Sequence, residues 1–232
     1  MTIIVVRGRE YSAWRCCVQL DRPLLVVTPT VDGDVLAALA RAEAAFTGRG
    51  LHRLIGRHSA DGVRRAVERL ARQGVVDVAV AGPSKLYSLN REHLAAVHVI
   101  ALAKLREDFL DRLRRRIAEW RLQPVYAALF GSAATEHMRA DSDVDLFVVR
   151  PDGTIAEHGD WAEQLRALAH DGSRWTGNDL RIFELSEGDV KLGVVANDQV
   201  LLDIRDQGIR LAGPTGYLRP QPGSRGGSGR DG

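Results

Sequence analysis

The stretch that decides the fold is Leu129–Val149, LFGSAATEHMRADSDVDLFVV. Its apolar start closes a strand that runs from Val125 to Phe130, and Gly131-Ser132 then turns the chain sharply. Glycine lets the backbone pass close to a bound phosphate, while exposed amides and the Ser132 hydroxyl supply hydrogen bonds to it. After ten intervening residues, Asp143-Val144-Asp145 opens a second apolar strand. Residues two apart on a strand project to one face, so both carboxylates point one way while Val144 points into the core. Two close carboxylates raise each other's pKa unless a cation neutralises them. A hard divalent ion with oxygen ligands, Mg²⁺ bridging to substrate phosphates, is the expected partner of Asp143 and Asp145.

Around this stretch, residues 125–212 alternate strand and helix. Asp145–Val149 and Leu180–Leu185 read as strands, Ala156–Ala169 as a helix, and Gly188–Val195 and Gln199–Gln207 as further helical segments. The pattern is that of an α/β (α+β) domain with a mixed sheet. The Gly-Ser turn followed by Asp-x-Asp on a strand resembles the signature of the DNA polymerase β-like nucleotidyltransferase superfamily, in particular its minimal nucleotidyltransferase domains. The resemblance implies Mg²⁺-dependent transfer of a nucleoside monophosphate from an NTP, with pyrophosphate leaving. It implies that Gly131 and Ser132 hold the triphosphate, that Asp143 and Asp145 bind metal, and that a third carboxylate on a later strand activates the acceptor hydroxyl. Asp179, heading the strand in NDLRIFEL, is favoured for that role and Glu184 competes. The two lie five apart and face opposite sides of a regular strand, so at most one joins the site. The chain departs from the family pattern after Ala134: Thr135-Glu136 stands where many members have Arg-Gly, which removes a phosphate contact. His137 and Arg139 read as exposed loop residues, and Thr176-Gly177-Asn178 either lines the nucleotide pocket or is an ordinary turn.

Upstream, residues 91–124 contain almost nothing that breaks a helix before Pro124. Leu94, Val97, Ala101, Leu105, Phe109, Leu113, Ile117 and Trp120 step by three or four, which predicts one long amphipathic linker helix. It serves either as a dimerisation strut or as the connection to the next domain. Residues 31–90 predict three short helices and a hairpin. Thr47 and Ser59 are candidate N-caps, Gly56 and Gly74 lie at helix ends, and Ala81–Lys85 has turn chemistry. The strings LIGRHSADGVRRAVERLARQGVV and LYSLNREHL are similar to winged helix-turn-helix transcription regulators. That similarity implies a recognition helix from Ser59 to Gln73 in a DNA major groove. Arg64, Arg65 and Arg69 would meet phosphates and guanine edges, and Lys85 at the hairpin tip would reach along the backbone. In residues 1–30, the apolar runs Ile3–Val6 and Leu24–Val27 either pair as short strands or pack as an arm.

Composition bounds the rest. The 232 residues carry a net charge of only +2, but its distribution is uneven. Residues 1–124 hold 21 Lys and Arg against 13 Asp and Glu, and residues 125–212 hold 8 against 16. A basic half joined to an acidic half suggests two modules with different partners. Cys16 and Cys17 are the only cysteines, which excludes a disulfide framework or zinc-ligand spacing and fits a reducing cytoplasm. No apolar run approaches the length of a membrane span, and no membrane partner is expected. Residues 213–232, rich in Gly, Pro, Ser and Arg, read as a disordered tail. Two functions are consistent with the whole. One is an Mg²⁺-dependent nucleotidyltransferase acting on a protein or RNA hydroxyl, with a DNA-binding winged helix, a possible homodimer, and a role suited to an antitoxin-like partner of a toxin. The other is a DNA-binding transcriptional regulator whose transferase domain senses nucleotide or is inactive.

Overall fold

The computed structural model describes residues 4–7, 18–135, 137–139, 141–156 and 159–219. The C-terminal part is built on a five-stranded mixed sheet. Its strands are β1 (Ile4–Arg7), β5 (Tyr126–Phe130), β6 (Val144–Arg150), β7 (Leu180–Ser186) and β8 (Ile209–Ala212), in the order β1-β7-β6-β5-β8. Only β6 and β7 run parallel, because the helix α6 (Gly159–Thr176) carries the chain from the end of one to the start of the other. Period-two alternation divides the side chains between two layers. Leu129, Val144, Leu146, Val148, Leu180 and Ile182 pack with α6 and with α5 (Leu105–Ala118). Tyr126, Ala128, Phe147, Val149 and Leu185 pack with α7 (Glu187–Val195) and α8 (Gln199–Gln207). On the first face Trp120 meets Trp161 edge-on at 5.6 Å, a geometry that suits the ring quadrupoles.

The N-terminal part has its own core. It comprises α1 (Val31–Arg41), β2 (Phe46–Thr47), α2 (Gly48–Ile55), α3 (Ala60–Arg72) and the hairpin β3 (Val76–Ala81) and β4 (Ser84–Leu89), with strand order β2-β4-β3. Thr47 and Ser59 accept hydrogen bonds from the amides of Gly50 and Gly62 and so cap α2 and α3. Gly56 ends α2 in the left-handed region at φ 69°, which a Cβ would strain. Asp34 ties α1 to the segments before and after it, receiving Arg22 at 2.6 Å and His58 at 2.6 Å. Burial works to raise its pKa, but the hydrogen bonds from Arg22 and His58 outweigh that and hold it below the usual carboxylate value.

Three sequence expectations are corrected. The predicted linker over 91–124 is not one helix: α4 (Ala96–Ala103) and α5 are separated at Lys104, whose φ and ψ are −96° and 6°. Ala96, Val99 and Ala103 belong to the N-terminal core, whereas Phe109, Leu110, Leu113 and Ile117 belong to the C-terminal one. A straight helix presents a single stripe, so the chain re-aims between the two cores. After α5, Gln123 donates its side-chain amide to the carbonyls of Ile117, Ala118 and Trp120, which replaces the missing helical donors before Pro124. Second, the arm over 1–30 divides: Ile4–Arg7 pairs with β7 rather than with Leu24–Val27, and Pro23–Val26 forms a 3-10 turn against α1. Third, the predicted disordered tail is packed as far as Arg219. Tyr217 stacks on Tyr126 at 5.3 Å and Leu218 is buried, both packing into the apolar cluster that the sheet forms with α7 and α8. Residues 220–232 lie outside the described residues. No described helix is long and apolar enough to cross a membrane.

Candidate active site

β5 delivers the chain into a 3-10 turn, Gly131–Ala133. Gly131 has φ +69°, and a Cβ there would lie 2.9 Å from Asp145 Oδ2. Only glycine allows the turn to abut that carboxylate. The amides of Ala134 and Thr135 and the Thr135 hydroxyl all donate to the Gly131 carbonyl, at 3.1 to 3.2 Å. The leading amides of such a turn have no acceptor within it, which leaves them for an anion.

The three carboxylates meet at the strand ends beside this turn. Asp145 lies on β6 between Phe130 of β5 and Arg181 of β7. Asp143 immediately precedes β6 and Asp179 immediately precedes β7, where its carbonyl accepts the Val144 amide at 2.9 Å. Arg181 joins the set, donating to Asp143 at 2.6 Å and to Asp179 at 3.4 Å. Burial raises the pKa of Asp145, and the charges of Asp143 and Asp179 raise it further against the opposing pull of Arg181. Asp179 Oδ1 is buried and has no hydrogen-bond partner among the described residues. Among those residues no three His, Cys, Asp or Glu side chains form a group that could hold a metal ion, and Arg181 pairs two of the acids. An orphaned carboxylate oxygen beside an acid that resists ionisation is nevertheless chemistry that fits a hard divalent cation.

Glu184 does not join them. It projects to the opposite face of β7, where it is 1% exposed and takes Arg150 Nε at 2.5 Å. The Thr176–Asn178 turn supports the site from beneath. Asn178 is fully buried and donates to the carbonyl of Ser142, one residue before Asp143, while Thr176 bonds back to Gly172. His137 and Arg139 are exposed, with local hydrogen bonds to Thr135 and Ser142. Two residues that reasoning from sequence missed are Arg181 and Arg106. Arg181 was legible in principle, since it is two after Asp179 on a strand and so shares its face. Arg106 lies on α5 and reaches the carbonyls of Ala133 and Ala134 at 3.3 and 2.8 Å; no local pattern announces that contact.

On the N-terminal unit, three of the four α3 arginines are already paired. Arg64 bonds Asp61 and Glu68, Arg65 bonds Asp61 at 2.6 Å, and Arg69 bonds Asp32 of α1. Lys85 stands on β4 beside a shallow cleft of about 260 Å³ between α3 and the hairpin. These groups lie on a different unit from the carboxylates.

A mixed α/β sheet with acids clustered beside a tight Gly-Ser turn defines a nucleotidyltransferase-like domain. Residues 115–207 match the family model described as Polymerase beta, Nucleotidyltransferase, from the last turn of α5 to the end of α8. That part of the chain is therefore similar to that family. No curated protein and no solved structure gives a match.

Proposed function

We propose that the chain is a divalent-metal-dependent nucleotidyltransferase that moves a nucleoside monophosphate from an NTP to a protein or RNA hydroxyl. The observation that carries this reading is the convergence of Asp143, Asp145 and Asp179 beside the Gly131 turn. Bound Mg²⁺ would neutralise the phosphates and polarise the α-phosphorus. Asp143 and Asp145 would hold it, and Gly131 and Ser132 would donate to the triphosphate. Asp179 would accept the proton of the attacking hydroxyl, for which its unpartnered Oδ1 is suited. The test is incubation with labelled ATP, GTP, CTP and UTP, Mg²⁺ and cell extract. Label on an acceptor is expected, and Asp143→Ala should remove it; an Asp143→Ala-insensitive signal, or none, sinks the reading.

The N-terminal unit we infer to be a winged helix that binds duplex DNA, with α3 as the recognition helix. Exposed ion pairs are worth little, so Arg64, Arg65 and Arg69 can exchange Asp61, Glu68 and Asp32 for phosphates. Lys85 then contacts the backbone from the hairpin. Retention of duplex DNA is expected to fall steeply with salt, and Arg64→Ala/Arg65→Ala should lower the salt slope by about 1 for each phosphate that is no longer neutralised. Unchanged retention would show that α3 does not face DNA. Leu94 is 90% and Val97 64% exposed beside this unit, an apolar strip that supports a homodimer reading two half-sites. An antitoxin-like role follows if the acceptor is a partner toxin.

One observation favours a second reading, a DNA-binding regulator whose transferase domain senses nucleotide or is inert. Arg181 already pairs two of the three acids. Nucleotide binding without any transferred label is the result that selects it.

A further inference from the structure

We propose that Arg106 is the positioning residue of the phosphate-binding turn, supplied from the joint between the two units rather than from the turn's own sequence. This rests on the nucleotide reading of Gly131-Ser132 given above. Arg106 is the second residue of α5, two after the break at Lys104. Immediately before the break, Ala103 is buried in the N-terminal core, and from Phe109 onward α5 is buried in the C-terminal one. From that position the guanidinium crosses to the end of the 3-10 turn and donates to the carbonyls of Ala133 and Ala134, partly buried.

Those carbonyls close the turn whose first residue, Gly131, abuts Asp145. A cation donating to them does two things at once. It satisfies acceptors that the short turn leaves open, and it fixes the turn through charge-assisted hydrogen bonds. The residues following the turn, Ala134 and Thr135, bring no positive charge of their own. Ala133 is buried in the same core as Leu113 of α5, so the turn and the helix that holds it share a rigid base. A positioned turn presents its amides without reorganisation when phosphate arrives.

The experiment is a fluorescence titration of the full chain with mant-labelled ATP, GTP, CTP and UTP. Wild type is compared with Arg106→Ala, Arg106→Gln and Arg106→Lys at a temperature where circular dichroism shows each to be folded. Arg106→Ala is expected to weaken the best-bound nucleotide about 10-fold or more, the size of a missing charged hydrogen bond. Arg106→Lys, which keeps the charge, should recover most of that affinity. In a transfer assay the loss should fall on KM for the nucleotide rather than on kcat, which a merely structural defect would not produce. Equal nucleotide affinity in wild type and Arg106→Ala overturns this inference while leaving the nucleotide reading intact. A wild type that binds none of the four nucleotides overturns both. Should Arg106→Ala fail to fold, the neutral Arg106→Gln decides, and unchanged affinity there is equally fatal.

Discussion

Replacing Asp145 by Asn is expected to lower nucleotidyl transfer by about 10³-fold or more, the scale of losing an electrostatic anchor at a transferring phosphoryl group. The same change is expected to stabilise the metal-free fold at neutral pH. Asp145 lies on β6 against the Gly131 turn, and burial together with Asp143 and Asp179 raises its pKa above the ordinary carboxylate value. A raised folded-state pKa means that the ionised form costs stability. That cost is fully present above the folded pKa, shrinks as pH falls through it, and vanishes below the unfolded value. The advantage of Asp145→Asn in thermal melts should therefore be largest at neutral pH and close on acidification. Adding Mg²⁺ reverses the ranking, because an ion bound only by the folded wild type raises its melting temperature. A variant that loses transfer but is less stable than wild type at neutral pH without metal would contradict the electrostatic account.

Glu184→Ala should have the opposite profile. Glu184 and Arg150 form an ion pair in the layer beneath the site, with Glu184 almost wholly buried. Removing one partner leaves Arg150 charged and poorly solvated, a loss of about 3–5 kcal/mol. Arg150 also donates to the Thr154 carbonyl, which retains part of its hydrogen bonding and places the expectation at the lower end of that range. Urea unfolding measures the loss directly. Transfer by the folded fraction should survive, whereas Asp179→Ala should abolish transfer with little change in stability. If Glu184→Ala melts like wild type and loses transfer, Glu184 and not Asp179 is the third acid.

The contrast between these acids shows how far the sequence could be read. The turn at Gly131-Ser132, the shared face of Asp143 and Asp145, and the opposed faces of Asp179 and Glu184 follow from short-range rules of turns and strand alternation. The caps at Thr47 and Ser59 were legible for the same reason, since a cap is a contact three residues long. What Glu184 does instead was not legible, because its partner, Arg150, sits 34 residues away on a neighbouring strand. The continuous periodicity over 94–120 misled in a related way. It records that apolar residues recur, not that their stripe serves two different cores on either side of Lys104.

By itself, then, the amino-acid sequence determined the two-part division of charge, the local elements, and the pairing of a glycine turn with two carboxylates on one strand face. Each of these is set by neighbours within a few residues, where backbone sterics and side-chain alternation act. Tertiary structure alone decided that Glu184 finds its partner in Arg150 on the other face of the sheet and that Arg106 reaches the turn from α5. Those are contacts of charged side chains with partners brought to them by the packing of separate elements. Their partners depend on register and burial across the sheet, which the order of residues along the chain does not display.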